Sequence, residues 1–355
     1  MQTLFLKDKW LAENAQIAAL PMCEYVAKVS DIAEETNALR STVVLSDFSH
    51  LKKISFAEIE GAEILDTILA ANMLKLRYDK ALETFLASES GEIAASVIAA
   101  NIDEKIVLLA ESIDDAEFEQ ISRNAAATDI SQTHSVLSVD GPDAWKAAKA
   151  VFGADIYNLA FMGVEKYQYN DADAIVMRTG KTGEFGYQIL APNQVAEALF
   201  DELKKVVLGL GGRLAGVETL LAARAKGNFF NIFGDAKISR NPVELGLQWQ
   251  IDFGKENFAG AQAIFKFRAE GARRKLVAVA AQEPIGDSRE LFNGESALGK
   301  IVSVDPSDAK FALALIDAEW AYPSLRFAKQ AGGGDFFTAV SRPAVLAQSL
   351  LRGMD

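Results

Sequence analysis

A glutamate flanked by glycines, in the run Thr182-Gly183-Glu184-Phe185-Gly186-Tyr187, is the part of this sequence best suited to chemistry. The glycines allow the backbone to turn sharply and to pass close to a ligand. The apolar residues after them predict a strand that would hold the carboxylate in place. An ionised carboxylate accepts two parallel hydrogen bonds, so Glu184 suits a flat heterocycle with two adjacent N–H donors, such as the edge of a pterin. The alternative is a hairpin turn whose acid faces water.

The composition is that of a globular protein with more than one domain. The 355 residues exceed what one core usually holds, which predicts two or three domains. A net charge of −13 argues against a nucleic-acid partner, which needs a basic face, but it allows a local basic pocket. One cysteine, Cys23, excludes an internal disulfide, and two histidines far apart in sequence make a metal site unexpected. Neither a signal peptide nor a membrane span is predicted, so we expect a cytoplasmic protein.

Residues 55–135 predict a small α+β subdomain. Apolar residues spaced three and four apart in 55–72 indicate a short strand and then a helix. Further strands are predicted at 83–87, 96–100 and 105–110. An amphipathic helix is predicted at 114–127, and this order of elements is typical of an α+β unit.

The remaining residues predict helices and then a β-rich tail. A strand at 136–139 leads through Gly141-Pro142-Asp143 into a helix, because proline is tolerated near the first helical turn. The predicted helices are 144–152, 194–208 and 219–226. From Arg274 onward, short β-runs broken by turn residues predict a compact all-β domain. These runs are 275–281, 299–304, 311–316 and 336–340, and residues 267–273 are the expected linker.

Several motifs occur in one order along the chain and carry a family resemblance. They are Asp47-Phe48-Ser49-His50, Asp140-Gly141-Pro142-Asp143-Ala144, Gly180-Lys181-Thr182-Gly183-Glu184-Phe185-Gly186-Tyr187-Gln188, the block from Arg224 to Leu247 with Asp235, Pro242, Glu244 and Gly246, and Lys255-Glu256-Asn257-Phe258-Ala259-Gly260. In this order and spacing the chain resembles the folate-dependent aminomethyltransferase family, the T-protein of glycine cleavage and its relatives. The likeness is spread over almost the whole chain.

The resemblance implies an α+β fold: a folate-binding core of two intertwined α/β units around a central channel, with a C-terminal β-barrel. Together with the periodicity, it assigns residues 1–54 and 136–266 to the folate-binding core. Residues 55–135 form the small subdomain and residues 274–355 the barrel domain. The resemblance also implies tetrahydrofolate as the cofactor.

The resemblance suggests which residues would hold tetrahydrofolate. Glu184 matches the family glutamate that grips the pterin, and Tyr187 ends the same motif. Arg224 matches an arginine beside the folate site, although a helix-surface ion pair is the alternative. Phe229 could line the pocket of the aminobenzoyl ring, although core packing is more common for phenylalanine. Lys181 could attract the anionic glutamate tail, although most lysines are solvated.

A catalytic acid is harder to assign. T-proteins are expected to carry, after a strand, an aspartate that sits near N5 of the cofactor, shares a proton and stabilises a cationic centre. Alignment of residues 106–109 with that strand places Ala110 at a family asparagine and Glu117 at the aspartate. Glutamate is one methylene longer, and a displacement of about an ångström can cost about a hundredfold in rate. Asp114 or Asp115 could take the role of this acid only if the turn before the helix had a different conformation. The alternative is that Glu117 lies on the polar face of an ordinary helix.

Other positions depart from the family pattern. Glu83 replaces a tyrosine, and Lys226 replaces a glutamate with a charge reversal. Asn257 stands where a branch tied to iron–sulfur maintenance has cysteine, which argues against that role. His50 is expected to be a structural group and Cys23 a buried thiol.

Three functions are consistent with these observations. The first is a tetrahydrofolate-dependent one-carbon transferase, with Glu117 as the acid and an amine, a thioether or a carrier-bound group, such as one on a lipoyl carrier protein, as the donor. The second is a folate-binding sensor or assembly factor without turnover. The third is a scaffold without a folate site, whose acidic surface suits a basic partner.

Overall fold

The computed structural model describes residues 3–20 and 23–354. Its N-terminal part consists of a short helix, a two-stranded hairpin and a longer helix. These are α1 (Lys7–Ala12), β1 (Gln16–Ala19), β2 (Glu24–Lys28) and α2 (Ile32–Ser41). Asp31 caps α2 by accepting a hydrogen bond from the Ala33 N–H at 2.9 Å, the role that a short carboxylate plays at a helix start.

A six-stranded sheet forms the centre of the core. In spatial order its strands are β10 (Val164–Tyr169), β11 (Ala172–Met177), β12 (Gly186–Pro192), β9 (His134–Asp140), β3 (Val44–Asp47) and β13 (Arg213–Leu214). The β3–β13 pair is parallel and the other neighbours are antiparallel. Because β3 and β9 pair although the chain of the small subdomain lies between them, the two halves of the core are intertwined.

Helices cover both faces of this sheet, two of them on one face and the third on the other. They are α5 (Ala144–Phe152), α6 (Asn193–Gly209) and α7 (Val217–Gly227), and α7 packs on α2. The predicted helices at 144–152, 194–208 and 219–226 correspond to these three. Gly141, which precedes α5, lies so close to α2 and β3 that a Cβ would come 2.9 Å from the Cα of Val43.

The small subdomain is a five-stranded antiparallel sheet. In spatial order its strands are β5 (Lys80–Ala87), β6 (Ile93–Ile102), β7 (Lys105–Glu111), β4 (Lys52–Ala57) and β8 (Ala127–Asp129), with helices α3 (Glu58–Asp66) and α4 (Asp115–Ser122). β7 is buried on both faces, since Val107 and Leu109 pack toward the core while Ile106 and Leu108 pack in the cluster with α3. This double burial explains its uninterrupted apolar run.

The predicted helix at 114–127 is too long. The α4 helix ends at Ser122, and the Asn124 side chain accepts a hydrogen bond from the Ala126 N–H at 3.0 Å, which turns the chain. Ala127 then pairs with Phe56 at the edge of the sheet. Backbone pairing to β4 therefore outweighs the helix propensity of the three alanines.

The C-terminal domain contains a closed six-stranded barrel. Its strands, in order around the barrel, are β14 (Arg274–Ala281), β17 (Asp308–Asp317), β16 (Ser296–Asp305), β15 (Glu290–Asn293), β18 (Arg326–Ala328) and β19 (Asp335–Val340). The predicted β-runs correspond to β14, β16, β17 and β19, whereas the short β15 and β18 were missed. The mixed α/β body with this barrel confirms the predicted fold class.

Two segments around the barrel differ from expectation. The predicted linker at 267–273 is partly helical, because α8 (Ala261–Glu270) continues to Glu270 and ends at Gly271 with φ of +73°. After β19 the chain leaves the barrel and ends in α9 (Gln348–Arg352), which contacts the core. Among the described residues, no helix is both long enough and apolar enough to cross a bilayer.

Candidate functional site

The turn that carries Glu184 directs its carboxylate into the protein. Gly183 has φ of +86°, a conformation that glycine adopts without steric cost. At the start of β12, a Cβ on Gly186 would lie 2.6 Å from the Cα of Gly180, so glycine allows these two segments to touch. The Glu184 side chain is completely buried (0 % exposed). An exposed turn acid, the alternative considered from sequence, is therefore wrong.

Glu184 accepts two adjacent backbone N–H groups, and both come from this chain. Its Oε1 accepts from the Gln348 N–H at 3.1 Å and its Oε2 from the Ser349 N–H at 2.8 Å. The Arg40 Nη1 lies 3.3 Å from Oε1 and also donates to the Thr182 carbonyl oxygen at 2.8 Å. The carboxylate thus has the geometry to recognise a pair of N–H donors, and α9 supplies that pair.

Arg224 forms a buried ion pair with Glu111, at the end of β7. The Arg224 Nη1 lies 2.9 Å and 3.1 Å from the two carboxylate oxygens of Glu111. Its guanidinium also lies 5.6 Å from the centre of the Phe48 ring. Burial alone would raise the pKa of Glu111, but the charge of Arg224, with Lys181 and the hydrogen bond, holds that pKa below its usual value. Glu111 is therefore an ionised carboxylate inside the protein.

Lys181, expected to attract an anionic tail, and Lys226 are both paired with acids of the same chain. The Lys181 Nζ lies 2.7 Å from Glu83 Oε1, and both side chains are buried. Glu83 is the acid that replaces a family tyrosine, so this departure supplies the partner of Lys181. Lys226 lies 3.2 Å from both Asp305 and Asp308, which joins α7 to the barrel.

The remaining predicted site residues are Glu117, Tyr187 and Phe229. Glu117 is half-buried in the first turn of α4, where its N–H donates to Asp114 Oδ1 at 2.7 Å. Burial and the neighbouring Asp114 raise its pKa. Tyr187 is fully buried in the core of the large sheet. Phe229 is half-buried just after α7, and its N–H donates to the Arg224 carbonyl oxygen at 3.0 Å.

A cavity of about 270 Å³ lies where the β1–β2 hairpin meets the start of β4 and the end of β7. Its walls are mainly apolar, and its polar groups come from Glu111, His50, Cys23, Ser112 and Lys52. Neither Glu117 nor Glu184 lines it. A second cavity of about 390 Å³ lies between α7 and the barrel and shares Phe233 with the first. An apolar cavity with one fixed carboxylate is typical of a small-molecule site.

His50 is a neutral imidazole in the wall of this cavity. Burial lowers its pKa to about 4. The charges of Lys53 and Arg224 act in the same direction, and the charge of Glu111 acts in the opposite direction. Its Nδ1 is buried and has no hydrogen-bond partner among the described residues. Burial also raises the pKa of the Cys23 thiol, which disfavours a reactive thiolate. His50 can therefore offer a hydrogen bond to a ligand at neutral pH without adding charge.

The buried imidazole predicts a loss of stability in mild acid. Its folded pKa of about 4 lies below the unfolded value of about 6.5, so stability is complete above pH 6.5 and falls as the pH decreases toward 4. Between pH 7 and pH 5, His50 alone should lower the free energy of unfolding by about 2 kcal/mol. Urea unfolding at both pH values should show a loss about 2 kcal/mol smaller in His50→Gln than in the natural protein, because the other titrating groups contribute equally to both. Equal losses in the two proteins would contradict the assignment.

A model of the GCVT N-terminal domain matches residues 9–255, more than half of the chain. The chain belongs to the GCVT family. The aminomethyltransferase of Thermotoga sp. (strain RQ2) is 26% identical over 281 residues, 77% of each protein. That of Mycobacterium leprae (strain Br4923) is 29% identical over 301 residues, 81% of each protein.

A solved relative shows that the likeness extends to the whole fold of this GCVT family member. The crystal structure of glycine cleavage system aminomethyltransferase T from Bartonella henselae matches it with a TM-score of 0.82 over 98% of both chains, at 22% identity. The family resemblance drawn from the motifs is thereby confirmed. Within the described residues, no cluster of three or more His, Cys, Asp or Glu side chains could hold a metal ion.

Glu111 is a cavity-lining residue of this GCVT member that the motifs did not reveal. It ends an apolar strand, and the alignment drew attention to Ala110 and Glu117 on either side. One sequence signal was present, since an acid directly after five apolar residues that form a doubly buried strand needs a cationic partner. That the partner is Arg224 follows only from the packing of α7 beside β7.

Proposed function

We propose that the protein binds tetrahydrofolate beside the Arg224–Glu111 pair and uses it to transfer a one-carbon unit from an amine, a thioether or a carrier-bound donor. The observation that supports this most directly is an ionised carboxylate, Glu111, in the wall of an apolar cavity in a protein of the aminomethyltransferase family. Tetrahydrofolate would supply the nitrogen atoms that accept the one-carbon unit. Binding, orientation and electrostatics would be left to the chain.

The residues around the cavity fit such a ligand. Apolar side chains, among them Leu51, Ile113 and Phe233, offer surfaces for a flat ring. Glu184 already accepts two adjacent N–H groups, which is the pattern that a pterin edge presents. Glu184 and the cavity are linked through Arg40, which donates to the carbonyl oxygen of Ala223 at 3.4 Å, next to Arg224.

Within this proposal, Glu111 stabilises positive charge that develops during transfer. Its low pKa keeps it ionised, and an ionised group fixed in a dry cavity is more effective than the same group in water. Arg224 holds the carboxylate in position. Glu117 has a raised pKa, which suits proton exchange with solvent, but it stands outside the cavity wall. We therefore assign the electrostatic role to Glu111 and keep Glu117 as the alternative acid.

A second candidate is folate binding without turnover. The pairing of Arg224 with Glu111, of Lys181 with Glu83, and of Glu184 with α9 favours it, because each charged group expected to hold the cofactor has a partner in the chain. A protein with this arrangement could sense folate or assist assembly. A one-carbon donor, such as a group on a lipoyl carrier protein, is needed only if the protein shows turnover.

Calorimetric titration with 5-formyltetrahydrofolate, a chemically stable reduced folate, tests the proposed binding. Cys23 lines the cavity, so Cys23→Phe should fill part of it and weaken binding at least about tenfold, equivalent to about 1.4 kcal/mol. The matched variant Cys23→Ser keeps the volume and should bind like the natural protein. Binding unaffected by Cys23→Phe would exclude this cavity. Absence of binding to the natural protein and to a variant lacking residues 346–355 would leave the scaffold as the remaining function.

A further inference from the structure

The chain beyond the barrel returns to the core as a strap, defined here as residues 344–352. Its first contact is the Ala344 N–H, which donates to the Lys226 carbonyl oxygen at 2.8 Å. At its end, Arg352 Nη1 donates to the Ser41 carbonyl oxygen at 2.9 Å. Between these points the N–H groups of Gln348 and Ser349 donate to Glu184. The strap therefore runs across the Glu184 turn.

Glu184 serves as the cap of the strap helix. The N-cap residue of α9, Ala347, has no side chain able to accept the free N–H groups of the first turn. The Glu184 carboxylate accepts two of them instead. A cyclic ligand edge with two adjacent N–H donors would make the same pair of bonds to the same two oxygens. Strap and ligand cannot occupy the carboxylate together.

The strap is held by polar contacts more than by apolar burial. Its leucines are largely in solvent, with Leu346 63%, Leu350 78% and Leu351 62% exposed, whereas Ala347 and Ser349 are the residues that it buries. Detachment would expose little additional apolar surface. The cost includes four hydrogen bonds, and an incoming ligand replaces the two that end on Glu184. Such a segment can leave without unfolding the barrel, whose last strand ends at Val340.

We propose that the strap is an intramolecular competitor, which occupies Glu184 and must leave before tetrahydrofolate binds. The inference rests on the proposed folate site and adds its regulation. If the open form is about 1–10% of the population, the strap weakens the apparent affinity by about 10- to 100-fold. Any condition that detaches the strap raises the affinity by the same factor.

The substitution Gln348→Pro tests this competition at one atom. It removes the N–H that donates to Glu184 Oε1, and proline is accepted in the first turn of a helix. Ala347 is already extended, with φ −64° and ψ 128°, as a residue before proline prefers. The matched variant Gln348→Ala loses the same side chain and keeps the N–H. We expect 5-formyltetrahydrofolate to bind Gln348→Pro several-fold more tightly than Gln348→Ala, and a variant lacking residues 346–355 to bind about 10- to 100-fold more tightly than the full chain.

Hydrogen exchange gives a second measurement. Saturation of the full chain with 5-formyltetrahydrofolate should speed amide exchange in the peptide 344–354 while the strands of the barrel remain protected. Equal folate affinity in the full chain, Gln348→Pro and the truncated chain would overturn the strap proposal and leave the folate site intact. If the truncated chain also fails to bind 5-formyltetrahydrofolate, both the proposed folate site and the proposed competition are wrong.

Discussion

Replacement of Arg224 by methionine should lower the free energy of unfolding by about 3 to 5 kcal/mol, the largest effect on stability that we expect from a single change in the site. Methionine has a similar length and fits an apolar wall, so the loss does not come from a cavity. It comes from Glu111, whose buried carboxylate would lose the guanidinium 2.9 Å away that keeps it ionised. Denaturation in urea at pH 7 measures this loss.

A double variant separates the charge effect from packing. Glu111→Leu combined with Arg224→Met removes both charges and leaves apolar side chains of similar volume. Such replacements of buried ion pairs are often neutral or stabilising, so the double variant should recover most of the stability lost in Arg224→Met. A double variant as unstable as the single one would mean that Arg224 acts through packing, not through Glu111. If the pair serves folate binding, both variants should fail to bind 5-formyltetrahydrofolate whatever their stability.

Much of the fold follows from local patterns in the sequence. Three different local signals predicted α5, α6 and α7 within a few residues: a proline near the first helical turn, amphipathic spacing, and helix-favouring composition. The strands of the barrel were also predicted from a local pattern, short β-runs broken by turn residues. The errors occur where a distant segment decides the outcome. Ala127 pairs with Phe56 and so becomes a strand, although its neighbours favour a helix.

The candidate site was predictable in part. The motif around Glu184 correctly placed a buried carboxylate at a glycine turn, because glycine spacing is a local property. The pairing of Lys181 with Glu83 joins residues far apart in sequence, and no local pattern indicates it. The same holds for Glu111 and Arg224. The strap on Glu184 could not be foreseen either, since backbone N–H groups are present at nearly every residue and carry no sequence signal.

These pairings give the site an internal balance of charge. Each of the acids Glu83, Glu111 and Glu184 has a cationic partner, and Glu184 has two backbone donors in addition. Removing one partner of a buried ion pair is costly in free energy. A ligand can therefore bind only where it replaces the hydrogen bonds that it displaces. Glu184 meets this condition, because two N–H groups can be exchanged for two others. The Arg224–Glu111 pair is better suited to remain intact beside the ligand.

If the protein is a transferase, Glu111→Gln should lower the rate of one-carbon transfer by about 10²- to 10³-fold, the usual effect of removing a group that stabilises charge in the transition state. Glutamine keeps the shape and an oxygen for Arg224 but carries no charge, so folate binding should change much less than turnover. Glu117→Gln, at the half-buried position on α4, should leave the rate nearly unchanged. Single-turnover reactions with aminomethylated lipoyl carrier protein and with N-methyl amines, followed by mass spectrometry of the folate product, measure both rates.

The glutamine variants of Glu111 and Glu117 distinguish the acid that lines the cavity from the acid that the family alignment suggests. Glu111 is favoured because it lines the cavity as an ionised group, whereas Glu117 is favoured only by its position after the aligned strand. Loss of turnover in Glu117→Gln with an active Glu111→Gln would show that α4 moves its carboxylate to the ligand and that the cavity assignment is wrong. Glu111→Asp is the matching rescue, because it restores the charge at a shorter reach and should recover part of the rate. A purely structural Glu111 would instead show losses of turnover that follow the losses of folding stability in both Glu111→Gln and Glu111→Asp.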